Sequence, residues 1–160
     1  RRQASPNEGR LKRLLRRQSK LAPATRLDER LSRFHRWAKV LGLAGATSRL
    51  FPDRWRLGAP SGFTHLALSR QAFEPFRIQR LGQQQHYLGS LNGPELLLLL
   101  PDAKAIGSSA VSMMGRDADL GVVIFSSRDP HHYQSGQGTQ LLEEIAMMLP
   151  DLLERWVERV

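Results

Sequence analysis

Most side chains that could do chemistry fall in one stretch, Asp119 to Thr139, which holds Ser127-Arg128-Asp129-Pro130, His131-His132 and Gly136-Gln137-Gly138-Thr139. A guanidinium can clamp a carboxylate or phosphate. Glycines at a helix start leave free amides that hold an anion. Paired histidines suggest a metal. Each signal also has a plainer reading. Arg128 can pair with Asp129 or Asp119. Gly136 and Gly138 permit positive φ in a strand-to-helix crossover, with Thr139 as the helix cap; the phosphate-binding lysine of a P-loop is missing. Asp129 precedes a proline, so it is extended and its carboxylate can cap nearby amides. His131 and His132 are neighbours on a loop, point apart, and have no third His or Cys ligand nearby. His35, His65 and His86 are scattered, and no G-x-S-x-G elbow is present. Asp117/Asp119 and Glu143/Glu144 read as turn and helix-surface carboxylates. No catalytic set, metal site or cofactor emerges, so a non-enzymatic protein is expected.

A binding site has a better claim. Ser108, Ser109 and Ser112 lie on a predicted strand, and such small residues open space against a helix. Ser108, Ser112, Ser126 and Arg128 are therefore the expected wall of a small-molecule pocket, with the amides after Gly136, Gly138 and Thr139 beside it. The alternative is that the small residues let another element pack closely.

The chain has 160 residues, 41% hydrophobic and none of them cysteine, which fits one domain with a core and removes disulfide and thiolate chemistry. The longest apolar run, Leu96 to Leu100, is too short to cross a membrane. No apolar segment of the signal-peptide kind follows the opening RRQASPNEGR, and a cytoplasmic protein is expected. The first residue is Arg and not Met, so the native amino terminus is expected further upstream. Charge is divided unevenly: residues 1–56 carry 16 Lys and Arg against 4 Asp and Glu, and residues 57–160 carry 8 against 11. Arg10, Arg13, Arg16, Arg17 and Lys20 form a basic patch on a predicted lead-in helix. It is either a solvated surface or a contact for nucleic acid or an acidic protein.

The elements that must position these residues follow from periodicity. Residues 1–24 read as the basic helical lead-in, ended by Pro23, and 25–160 as the main domain. Thr25 is expected to cap a helix whose Leu27, Leu31, Phe34, Ala38 and Leu41 make a heptad-like seam, with Gly42 and Gly45 past its end. Thr47 to Phe51 and Arg54 to Leu57 predict a strand pair. Ser69 caps a short helix to Phe76. His86 to Leu88 is a further strand. Asn92-Gly93-Pro94 starts a helix through the leucine run, although five leucines also suit a buried strand. Ile106 to Met114 and Leu120 to Ser126 predict a hairpin. A helix from Thr139 to Val160 carries Leu149, Leu152, Trp156 and Val160 on its apolar stripe, with Pro150 kinking or splitting it. Strands in the middle and helices at both ends make an α+β fold, one antiparallel sheet with the terminal helices packed on one face.

GVVIFSSRDPHHYQSGQGT followed by LLEEIAMMLPDLLERW resembles the C-terminal signature of the bacterial domain-of-unknown-function 484 family, of form G-x-x-x-x-x-S-R-D-P, an aromatic, then G-x-G-T. LAGATSRLF, RWRLGAP, HLALSRQAFEPFRIQRLG and NGPELLLLLPDAKAIGS extend the likeness, to the enterobacterial-type members, from about Leu27 to Val160. The resemblance implies a GAF-like fold, which often binds small ligands and dimerises through its terminal helices, and implies no established activity. The family's usual coiled-coil lead looks shorter here. The expected function is thus a GAF-like sensor or interaction domain and a homodimer through the two helical seams. The alternative is an adaptor whose basic helix binds nucleic acid or an acidic protein without a small ligand.

Overall fold

A computed structural model describes residues 23–40, 43, 45–58 and 62–160. The basic patch Arg10, Arg13, Arg16, Arg17 and Lys20 lies outside them, as do Leu41 and Gly42. The described elements are α1 (Pro23–Val40), β1 (Thr47–Leu50), α2 (Arg70–Phe76), β2 (His86–Gly89), α3 (Gly93–Leu99), β3 (Ser108–Met114), β4 (Gly121–Ser127) and α4 (Gln140–Leu153). A 3-10 turn at Thr64–Leu66 and a π-helical turn at Arg77–Leu81 complete the set. The protein is α+β.

The four strands form one antiparallel sheet in the order β1-β4-β3-β2. β3 and β4 are central, and all but the last residue of β4 are buried. That is why they are the most apolar strands. Alternation sends Ala110, Met114, Val123 and Phe125 to one face and Val111, Met113, Val122 and Ile124 to the other. The first face carries α1 and α4, so the terminal helices share a face as expected. The second is covered by α2, the π-helical turn and α3, with Phe73, Phe76, Leu81 and Leu99 packed on it.

The seam of α1 is consumed in this packing. Leu27, Leu31, Phe34 and Ala38 are buried in the first-face core, with Trp37 beside them, and Phe34 stacks at a tilt on Phe125 at 6.3 Å. Leu149 and Leu152 are buried there too, while Trp156 is half-buried. Leu27, Leu31, Phe34, Ala38, Leu149 and Leu152 thus pack within their own chain, whereas Trp156 stays partly exposed.

Local signals set most boundaries. Asn92 and Glu95 form a reciprocal capping box that starts α3, with Pro94 in its first turn, and the leucine run is helical. Ser69 caps α2 through the Ala72 amide. Three expectations give way. The helix begins at Pro23, whose fixed φ suits a first turn, so Thr25 lies inside it and not at its cap. Arg54 to Leu57 makes no strand with β1: Trp55 bridges Arg159 instead, and its indole N–H donates to the Leu120 carbonyl. The last helix stops at Leu153, three residues past Pro150, because the chain turns to reach Trp55; this takes Trp156 off the helix and leaves Val160 72% exposed.

Candidate functional site

The signature turn is built from its own backbone. Ser108, fully buried on β3, donates its hydroxyl to the Asp129 carbonyl at 2.6 Å and accepts the Tyr133 amide at 3.1 Å. The Asp129 carboxylate accepts the His131 amide at 2.8 Å, and Ser127 Oγ accepts the Asp129 amide. Gly107 fits because a Cβ there would lie 2.2 Å from the Arg128 carbonyl oxygen. Asp119 does not hold Arg128, since its carboxylate pairs with Arg54 at 2.8 Å. Arg128, His131 and His132 are exposed on the turn. Gly136 has φ +91°, and Thr139 sits at the N-cap of α4 without a side-chain cap bond. Its carbonyl, and not its hydroxyl, anchors that first turn by accepting the Glu143 amide. Among the described residues no group of three or more His, Asp or Glu is placed to hold a metal.

The four residues expected to wall one pocket are divided by the sheet. Ser108 and Ser112 point to the first face, and Ser126, paired in register with Ser109, points to the second. Ser112 meets His86 Nδ1 at 2.8 Å, and Ser126 donates to the Gly45 carbonyl at 3.2 Å. Burial lowers the proton affinity of His86, partly offset by the charge of Glu143. Ser112 is fully buried, so this serine–histidine contact has no room for a substrate.

Space opens instead along the outer edge of β1, in a cleft of about 450 Å³. One wall is α1, through Asp28, Leu31 and His35. The opposite wall is the segment after α3, through Leu100 and Asp102, and the 3-10 turn closes one end with His65 and Leu66. The floor is β1 itself, through Ser48 and Arg49. Arg49 is held firmly: its terminal nitrogens donate to the carbonyls of Leu98 and Leu99 at 3.2 Å each and of Ala67 at 2.6 Å. The first two belong to the end of α3, where helix carbonyls lack partners and a positive charge suits the dipole. Burial lowers the pKa of Arg49, partly offset by the nearby Asp102 charge, and no carboxylate among the described residues pairs with it directly.

Three buried polar atoms on this lining have no hydrogen-bond partner among the described residues: Ser48 Oγ, Arg49 Nε and His35 Nε2. Buried polar atoms are almost always paired, so three unpaired ones on residues of one lining set this cleft apart. Burial also lowers the pKa of His35, which keeps its ring neutral at pH 7 and able to donate or accept. Other surface hollows differ. At the one beside α2, Arg70 is already bound to Asp53 and to the Asp119 carbonyl. At the one beside α3, Glu95 is already held by Arg80 and the Asn92 amide. Sequence reading missed Ser48, Arg49 and His35 as a group. An arginine inside TSRLF was the only local hint, because the cleft is assembled from segments far apart in the chain.

A family model described as "Protein of unknown function, DUF484" matches residues 1–158. The chain is 74% identical over 158 residues to "Uncharacterized protein YigA" of Salmonella typhimurium, a match covering 99% of this chain and 67% of that protein. It is 73% identical, over the same shares, to the proteins of that name from Escherichia coli K12 and Shigella flexneri. No helix among the described residues is long and apolar enough to cross a membrane.

Proposed function

The chain belongs to the DUF484 family, and on that premise we propose that it is a non-catalytic, cytoplasmic GAF-like sensor or interaction domain that takes a small polar ligand in the cleft beside β1. The observation that carries this reading is that Ser48, Arg49 and His35 line one cleft and each has a buried polar side-chain atom without a partner among the described residues. A binding role suits the cleft better than catalysis, because no base among the described residues is hydrogen-bonded to the Ser48 hydroxyl to activate it. The reading requires no second copy, since the cleft is lined by residues of one chain.

Thermal-shift measurements with amino acids, nucleotides and organic acids test the reading. At least one compound raises the melting temperature, Ser48→Ala removes the shift, and Arg128→Ala leaves it unchanged. A shift lost in Arg128→Ala but kept in Ser48→Ala would put the site at the signature turn. The charge of residues 1–56 favours a second reading, an adaptor contacting nucleic acid or an acidic protein. Salt-dependent binding to random duplex DNA supports it, and no binding at low salt removes nucleic acid as the partner.

A further inference from the structure

The cleft runs along the outer edge of β1, where Ser48 is 5% exposed, and the phase of the strand pairing shows which main-chain groups face it. Phe51 N–H donates to the Leu120 carbonyl at 3.1 Å, so that pair is a hydrogen-bonded one. The antiparallel register then makes Arg49/Val122 and Thr47/Ile124 hydrogen-bonded pairs and Ser48/Val123 a non-bonded pair. The amide and carbonyl of Ser48 therefore point away from β4, into the cleft. Leu50 has the same phase, and its outward carbonyl is indeed taken from outside, by the Leu68 amide at 2.8 Å. One neighbouring chain segment thus already sits on this edge, with Ala67 bridging Leu50 in parallel. Upstream of Ala67 the chain coils into the 3-10 turn Thr64–Leu66 and leaves the edge. The seat beside Ser48 is vacated for that reason, and no backbone partner among the described residues fills it.

Resting on the reading of the cleft as a ligand site, we infer that its ligand is a short extended peptide that adds a strand to β1 at Ser48. Adding a strand supplies a main-chain donor and acceptor for Ser48 and sends alternate side chains to the two faces of the sheet. The cleft has a wall on each face for them. Each wall pairs an apolar surface with a carboxylate at the mouth: Leu31 with Asp28, which lies 3.6 Å from His65 Nε2, on one side, and Leu100 with Asp102 on the other. The two mouth carboxylates select a peptide with basic side chains over an acidic one.

The test uses the full chain and fluorescently labelled N-acetyl-Lys-Val-Lys-Val-amide, together with its register-shifted counterpart N-acetyl-Val-Lys-Val-Lys-amide, followed by anisotropy. At least one peptide binds, and the Glu-for-Lys counterparts bind more weakly. N-methylation at one set of alternate amides weakens binding about tenfold or more, while methylation at the other set leaves it nearly unchanged, because only one side of an added strand faces β1. Ser48→Pro, which removes the outward amide at an edge position that tolerates proline, abolishes binding. The ligand-side methylation needs no change to the protein, so a misfolded variant cannot obscure the result. If neither peptide binds, or methylation at either set has the same effect, the peptide inference is overturned. Should a small compound still give a Ser48-dependent thermal shift in that case, the cleft reading survives alone; without one, both fall.

Discussion

The Gly115 amide donates to the Ala146 carbonyl at 3.0 Å, joining the β3–β4 hairpin to the middle of α4. Ala146 lies four residues before Pro150, which has no N–H to offer it. A proline inside a helix normally leaves that carbonyl orphaned and costs about 3 kcal/mol. Here a tertiary bond fills the vacancy, so the same residue that interrupts α4 fixes the helix against the sheet.

Gly115→Ala tests this link. Gly115 has φ +92°, and an added Cβ would meet Leu120 Cδ1 at 2.7 Å. Shifting the turn to relieve both problems draws the amide away from Ala146. We expect a loss of about 2–3 kcal/mol in urea unfolding, from backbone strain and the broken buried bond together. A change below about 0.5 kcal/mol would show that the hairpin and α4 are not coupled here.

Ser108→Ala separates a structural serine from a ligand-binding one. The substitution leaves the Asp129 carbonyl without its donor and the buried Tyr133 amide without its acceptor. The expected cost is about 2–3 kcal/mol. Thr139→Ala, whose hydroxyl caps nothing, stays within about 0.5 kcal/mol. Equal effects in the two variants would contradict the account of the signature turn.

Stability should decline as acid is added, beginning near pH 6.5. Burial puts the folded-state pKa values of His35 and His86 below their ordinary value of 6.5. The unfolded chain therefore takes up these protons first, and protonation favours unfolding as pH falls below 6.5 until the folded values are reached. Above that window the two residues contribute no slope. His35→Gln flattens part of the dependence in melts between pH 5 and 7, measured at about 0.5 pH intervals. An unchanged slope would mean that His35 is as accessible folded as unfolded.

Leu27→Ala distinguishes an internal seam from an intermolecular one. Leu27 is fully buried on α1. Truncation should cost about 2–5 kcal/mol through the lost contacts and the cavity left behind. The loss should be the same at low and high protein concentration, since the contacts lie within one chain. A destabilisation that vanishes on dilution would restore the seam to a dimer interface.

Local sequence determined the elements that depend on near neighbours. The β-branched run of β4, the reciprocal cap of Asn92 and Glu95, and the four-and-three spacing of Leu27, Leu31, Phe34 and Ala38 each state a backbone preference or an apolar face. Those preferences assemble into an α+β sheet with α1 and α4 on one side. Local sequence could not say what each apolar face meets. The α1 seam reads the same whether it covers a sheet or a second helix, and only the tertiary packing assigned it to Phe125 and the first-face core.

The site lies further from reach still. Ser108, Ser112 and Ser126 looked like one wall because all three are small residues on neighbouring strands. Register decided otherwise, since a change of one position moves a side chain through the sheet. Ser48 gave no signal at all: its importance comes from the 3-10 turn at Thr64–Leu66, which takes the neighbouring segment off the β1 edge, and from α1 and the segment after α3, which wall the space left behind. Periodicity and capping are short-range and can be read along the chain, whereas an unfilled strand edge exists only once distant segments have taken their places in the fold.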